Sequence, residues 1–144
     1  MDNTANTMQT YHRGGHTVEF ARPKIEPLMR GSQVWQLVED WQITFDETTF
    51  VLPRGTTFDG ASIPRFLWRV CGHPLAQPRL PIAIFHDGAY SALFPGLTRE
   101  QADELYRIGL VAVGIWRAVA FVEWYAIRRC GGSHWEAVGD WGDD

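Results

Sequence analysis

The residues with the clearest chemical potential lie in an apolar segment that runs from Leu80 to Leu93. This segment contains two adjacent ionisable residues, His86 and Asp87, followed by Tyr90. In a helix, His86 and Tyr90 share a face because they are four positions apart, and Asp87 points about 100° away. Two ionisable side chains next to each other in a core helix indicate a polar site with a chemical or structural purpose.

A second acidic residue, Asp103, is predicted to complete this site. A histidine acts as a general base when a carboxylate fixes its tautomer and stabilises the charge that it acquires. The short connection at residues 94–97 predicts that the helix carrying Asp103 runs antiparallel to the helix carrying His86. The sequence therefore predicts either a catalytic group of His86, Tyr90 and Asp103 or a hydrogen-bond network that holds the helices together.

Asp87 and Asp59 are the candidate metal ligands. Asp87 is predicted to point away from Asp103, where it and backbone carbonyl groups would bind a hard cation such as calcium. In a second scheme, His86 binds zinc or a similar ion together with Asp87 or Asp59. Asp59 precedes Gly60, and aspartate in this position also forms an Asx turn, so a structural role is the alternative.

The first half of the chain predicts a small antiparallel sheet. Residues 34–45 alternate between apolar and other side chains, which predicts a strand, and residues 46–47 follow as a turn. Residues 48–52 are rich in Thr, Phe and Val and predict a second strand, with a third short strand at 56–58.

The second half predicts about four helices, so the expected fold class is α+β in a single domain. Pro64 suits a first helical turn, Ser62 can cap it, and this helix ends before Gly72. Thr98 opens a capping box that begins the third helix. The predicted helices span approximately 64–71, 80–93, 98–113 and 115–129.

The last predicted helix carries two features of interest. Glu123 has apolar neighbours on its own helix, so a buried Glu123 needs a donor from elsewhere, for which the candidates are Arg65, Arg69 and Arg107. The opposite edge of this helix carries an aromatic and basic strip that is either a docking surface or the edge of a packed helix. The strip consists of Arg117, Phe121, Trp124 and Arg128.

The chain divides into an N-terminal arm (1–33), an α+β core domain (34–131) and a tryptophan-containing acidic tail (132–144). The arm is polar and without sustained periodicity, which predicts a segment that lies over the domain or docks on a partner. The tail places two tryptophans among acidic residues, which predicts anchoring on its own domain or on another subunit.

The composition limits the classes of function. The chain has 144 residues, of which 45% are apolar, and its net charge of -4 argues against a nucleic-acid binder that depends on phosphate contacts. Two cysteines do not define a disulfide scaffold. The sequence shows neither a signal peptide nor a transmembrane segment, so we expect synthesis in the cytoplasm.

Three ordered motifs resemble a domain-of-unknown-function family, family 1353, that is found in phages and prophages. They are D-G-A-S-I-P-R-F-L-W at 59–68, F-H-D-G-A-Y at 85–90 and R-E-Q-A-D-E-L-Y at 99–106. The resemblance covers about residues 45–130. It implies a phage or prophage origin without an established activity.

The predicted helix pair is also similar to the catalytic helices of secreted phospholipases A2. This resemblance implies that His86 is the base that activates water, that Asp87 binds calcium, that Tyr90 supports the site and that Asp103 orients the histidine. The chain has no glycine-rich calcium loop of that family, and D-G-A-S at 59–62 is the nearest substitute.

The leading hypothesis is a phage- or prophage-encoded hydrolase, with or without a divalent cation such as calcium or zinc. It would cleave an ester-type bond of a lipid or of the cell envelope, with His86 as base. The alternative is a non-enzymatic virion, tail or assembly protein whose terminal arms bind neighbouring phage proteins and whose His-Asp network is structural. A small inhibitor of a host protein is a third possibility that fits the size and acidity.

Overall fold

The computed structural model describes residues 7–60 and 63–135, and within these residues it contains seven strands and four α-helices. The strands are β1 (Gln9–Arg13), β2 (His16–Phe20), β3 (Ile25–Pro27), β4 (Trp35–Leu37), β5 (Trp41–Phe45), β6 (Thr48–Leu52) and β7 (Thr57–Phe58). The helices are α1 (Arg65–Cys71), α2 (Leu80–Tyr90), α3 (Arg99–Ala112) and α4 (Arg117–Cys130), and a short 3₁₀ helix (Gly131–His134) follows them. The predicted α+β class is confirmed.

The strands form two antiparallel sheets, ordered β1-β2-β5-β6 and β3-β4-β7. The first sheet buries one face because β5 alternates, with Trp41, Ile43 and Phe45 directed into the core. A tight turn joins β5 to β6, and Asp46 adopts a positive φ of 54° there. An aspartate tolerates this conformation better than most residues do.

The predicted N-terminal arm (1–33) contains regular structure, because residues 9–27 include the strands β1, β2 and β3. β1 and β2 belong to the larger sheet through the pairing of β2 with β5, and β3 belongs to the smaller sheet. The adjacent Gly14 and Gly15, with φ values of 68° and 85°, form the turn between β1 and β2. β1 and β3 contain no fully buried side chain, so their residues show little apolar periodicity in the sequence.

The predicted single strand at 34–45 is also corrected, because β4 and β5 belong to different sheets. The chain leaves the sheet that contains β4 at Val38, whose N–H donates to the carbonyl of Lys24 at 3.0 Å. Asp40 then accepts a hydrogen bond from the Arg54 N–H at 2.7 Å, which fixes the connection. The alternation is interrupted between the two strands, because Leu37 and Val38 are both apolar and Glu39 and Asp40 are both acidic, and this interruption marks the change of sheet.

The helices follow the predictions closely, and their ends differ for local reasons. The Thr98 capping box is present at the start of α3. Helix α2 ends at Tyr90 because Ala92 adopts a φ of 65° and the Leu93 N–H bonds back to the carbonyl of Gly88. The predicted cap Ser62 lies outside the described residues. In the described part of the chain, no helix has the length and apolarity needed to cross a bilayer.

Candidate functional site

Helix α2 is buried along its whole length, which sets the environment of every side chain that it carries. On one side Phe85 packs among the rings of Phe45, Phe50 and Phe94, with centroid distances of 4.8, 5.0 and 5.6 Å. This aromatic contact fixes the rotation of α2 about its axis. The next residue, His86, consequently faces α3.

The structure brings three predicted residues together. His86 Nε2 lies 2.8 Å from Asp103 Oδ1, and the Tyr90 hydroxyl donates to the same oxygen at 2.7 Å. Asp103 Oδ2 accepts a hydrogen bond from Arg128 Nη1 of α4 at 2.8 Å. We call these four residues the His86 network.

The His86 network is sealed from solvent at its centre. The side chains of His86 and Asp103 are both 0% exposed. Burial by itself would raise the pKa of Asp103, but hydrogen bonds from His86, Tyr90 and Arg128 outweigh this effect and hold that pKa below its ordinary value. Burial and the bond to Asp103 raise the pKa of Tyr90, which therefore remains a protonated donor.

The two predicted metal ligands lie on the other side of α2. Asp87 Oδ2 accepts hydrogen bonds from the backbone N–H groups of Asp59, at 3.0 Å, and of Gly60, at 2.7 Å. Amide hydrogens face this oxygen, whereas a calcium ion needs carbonyl and carboxylate oxygens there. In this geometry Asp87 holds the turn at Asp59 and Gly60 in place. Gly60 is required there, since its φ is 80° and a Cβ atom would lie 2.6 Å from Pro74.

Within the described residues, no group of three or more His, Cys, Asp or Glu side chains is arranged to hold a metal ion. The metal roles of Asp59 and Asp87 stay predictions. Both residues, with Tyr90 and His134, line a cavity of about 320 Å³. His86 does not line this cavity, so a molecule in it meets Asp87 and Tyr90 but not the imidazole.

A second buried network was predicted only in part. Glu123 Oε2 accepts a hydrogen bond from Arg79 Nη2 at 2.7 Å, and Glu123 Oε1 accepts one from the Tyr106 hydroxyl at 2.8 Å. We call these three residues the Glu123 network. Burial and the charge of Glu123 raise the pKa of Tyr106, which keeps that hydroxyl a donor.

The need of Glu123 for an outside donor was predicted correctly, but the three candidate arginines were wrong. Arg107 pairs with Glu104, and Arg65 lies over the Trp68 ring at 4.9 Å. The donor is Arg79, which directly precedes α2 and lies 44 positions from Glu123. The sequence signal for this ion pair is the position of Arg79 at the end of a proline-bounded loop, directly before the apolar helix.

Both networks are complete in their hydrogen bonding. In residues 7–60 and 63–135, every buried side-chain nitrogen or oxygen has a hydrogen-bond partner. Buried polar groups cost free energy unless they are bonded, so this completeness stabilises the packing of the helices.

Two antiparallel sheets and four helices joined by buried ionic networks define a small protein of the α+β class. The chain belongs to the family described as "Protein of unknown function (DUF1353)", which matches residues 35–127. The predicted family is confirmed. The matched residues include every member of the two networks except Arg128, and the strands β1 to β3 precede the matched residues. Searches of curated proteins and of solved structures gave no significant match.

Proposed function

We propose that this chain is a non-enzymatic phage assembly protein that binds a neighbouring protein subunit through the outer face of α4. The observation that carries the proposal is the exposure of large apolar side chains on this face and at its start. Trp116 is 74% exposed, Phe121 55%, Val122 50% and Tyr125 52%. The resemblance of three motifs to phage and prophage proteins supports the phage origin.

The spacing on α4 explains why this face stands out. Its inner face consists of Ala120, Glu123, Ala126 and Ile127, all buried. A helix packed on one side only normally carries polar residues on the other side. Here apolar residues recur at helical spacing on the outer side as well, and the Phe121 and Tyr125 rings stack with centroids 6.4 Å apart. Exposed apolar clusters of this kind mark interaction surfaces.

The partner is expected to be a protein. An apolar groove of about 430 Å³ lies beside the exposed aromatics and is lined by Ile115, Trp116, Val119 and Val122. Tyr, Trp, Phe and Arg are the residues enriched at the centres of protein interfaces. A large apolar side chain of a neighbouring subunit would fill this groove.

The buried site supports the non-enzymatic part of the proposal. His86 is fully buried, does not line the cavity that Asp87 and Tyr90 line, and shares Asp103 with Tyr90 and Arg128. A general base must reach the proton that it removes, either directly or through one water. The network instead connects α2, α3 and α4, which positions the outer face of α4.

The test compares two double variants in particles produced by the phage genome that encodes the chain. Phe121→Asp with Tyr125→Asp places two charges on the proposed contact. The matched control, Leu28→Asp with Met29→Asp, changes two apolar residues that are 43% and 70% exposed in the β3–β4 connection. Particles and assembly intermediates are purified on density gradients, and the bound chain is measured by immunoblot.

We expect the wild type and the control to remain with particles or intermediates. The amount of the Phe121/Tyr125 variant bound to particles or intermediates should be at least about tenfold lower than that of the wild type, since a central aromatic contact contributes about 2 kcal/mol. Its thermal unfolding midpoint should stay unchanged. If the wild-type chain is absent from particles and intermediates, and its deletion leaves particle yield unchanged, the proposal is wrong.

The second candidate function is ester hydrolysis, which the geometry of the His86–Asp103 pair favours. An imidazole held at 2.8 Å from a carboxylate has the orientation that a general base requires. The assay measures release of fatty acid from phospholipid vesicles with and without calcium. Under this candidate, His86→Asn abolishes a wild-type activity without unfolding the chain, and an inactive wild type excludes it for these substrates.

A further inference from the structure

We infer that a cavity between the β1–β2 turn and helices α3 and α4 binds a phosphate monoester. The cavity has a volume of about 310 Å³. Four cationic or titratable side chains line it, from four different elements or their ends: Arg13, His16, Arg107 and Arg117. Among the described lining residues, none is acidic, so the cavity concentrates positive charge in a chain with a net charge of -4.

The charge available to a ligand comes from two of these residues. His16 Nδ1 lies 2.8 Å from Asp46 Oδ2, and Arg107 pairs with Glu104. Arg13 and Arg117 have no acidic partner in residues 7–60 and 63–135. Two guanidinium groups match the charge of a phosphate monoester, which is about -1.5 to -2 at pH 7, better than they match one carboxylate.

The backbone fixes where both arginines leave the main chain, and their side chains are exposed to solvent. Gly14 packs so closely on α3 that a Cβ atom would lie 2.8 Å from Val111 Cγ1, which holds the turn next to Arg13 in place. Arg117 is the first residue of α4, whose first turn contains no acidic residue and has no side-chain cap. The positive end of the helix dipole therefore adds to the charge of Arg117.

The size and apolar lining of the cavity indicate the rest of the ligand. Ile108 and Phe121 supply an apolar wall beside the arginines. A volume of this size is at the lower end of the range for small-molecule sites. The site therefore fits a phosphate on a small organic group, taken either from solution or from a lipid headgroup. The inference does not depend on the proposed subunit contact, although Phe121 borders both surfaces.

The experiment measures binding of phenyl phosphate to the full chain by isothermal titration calorimetry. The variants are Arg13→Gln and Arg117→Gln, and the control is Arg129→Gln, which removes the same charge from an exposed residue outside the cavity. Each cavity variant should weaken binding about tenfold or more, because each removes a charge-assisted hydrogen bond. The control should bind as the wild type does, and benzoate should bind at least about tenfold more weakly.

Two parallel binding measurements distinguish a lipid headgroup from a soluble molecule as the source of the phosphate. Vesicles that contain phosphatidic acid are compared with soluble phenyl phosphate, and binding to either one that requires Arg13 and Arg117 supports the inference. It is overturned if the wild type binds neither probe at millimolar concentration, if Arg129→Gln loses as much affinity, or if duplex DNA competes more strongly than either probe. Should Arg117→Gln fail to fold, Arg13→Gln alone decides the outcome.

Discussion

The two buried networks share a chemical plan but differ in redundancy. Each has a carboxylate that accepts hydrogen bonds from a tyrosine and from an arginine. Asp103 has an additional strong partner in His86, and Arg99 lies 3.9 Å from its second oxygen. Within the described residues, Glu123 pairs with a single cation, Arg79.

The networks also differ in their access to water. The side chains of Arg128 and Arg99 are 28% and 21% exposed, so the cationic end of the His86 network is partly hydrated. Arg79 is 11% exposed and Glu123 is 2% exposed. A buried carboxylate that loses its only cation keeps the full desolvation cost, whereas a partly hydrated network relaxes. The Glu123 network should therefore be the more fragile of the two.

The largest effect is predicted for Arg79→Met. This change leaves Glu123 buried without its cation, with the Tyr106 hydroxyl and the Cys71 thiol as neutral partners. It should lower the free energy of unfolding by about 3–5 kcal/mol, as for other broken buried ion pairs. Urea unfolding at pH 7, followed by circular dichroism, measures this quantity.

The matched control for that prediction is the double variant Arg79→Met with Glu123→Met. Replacing both charged groups by apolar ones removes the unpaired charge, so most of the lost stability should return. A cost below about 1 kcal/mol for Arg79→Met alone would mean that Glu123 is hydrated in solution and would remove the proposed difference between the networks.

An intermediate effect is predicted for Asp103→Asn. His86 and Arg128 both lose a charged acceptor, and the expected cost at pH 7 is about 1.5–3 kcal/mol. The pKa of Asp103 is lowered in the folded state, so the stabilisation is fully present above the ordinary value of 3.8 and is lost as the pH falls through the lowered pKa.

The difference in unfolding free energy between wild type and Asp103→Asn should consequently shrink below pH 3.8. Urea unfolding at pH 7 and at several values below 3.8 checks this dependence. Glu104→Gln, which alters an acid whose side chain is 46% exposed, serves as control. A difference that is constant over this range would show that Asp103 is not the titrating group.

The sequence predicted the His86 network better than the Glu123 network for a physical reason. Helical spacing places Tyr90 one turn from His86, and a short connection brings Asp103 next to them, so local geometry determines three of the four residues. Arg79 lies in a loop, and its position depends on how that loop packs against α4. No local period encodes a contact across 44 positions.

The same limit explains the errors in the sheets. The predicted hairpin of β5 and β6 is local, and the register pairs Phe45 with Thr48 across the turn. The pairing of β2 with β5 joins Val18 to Phe45, and no turn signal connects them. Short strands gain most of their stability from such distant partners, so their own sequence is a weak predictor.

The smallest effect is predicted for Arg128→Gln, and it tests redundancy directly. Asp103 keeps its bonds to His86 and Tyr90, and the lost guanidinium was partly hydrated. The expected cost is below about 1 kcal/mol, as for ion pairs with access to water. The measurement is again urea unfolding at pH 7, beside Arg79→Met. Equal costs for the two arginines would show that Asp103 depends on one cation as much as Glu123 does, and the structural distinction between the two networks would then have no energetic counterpart.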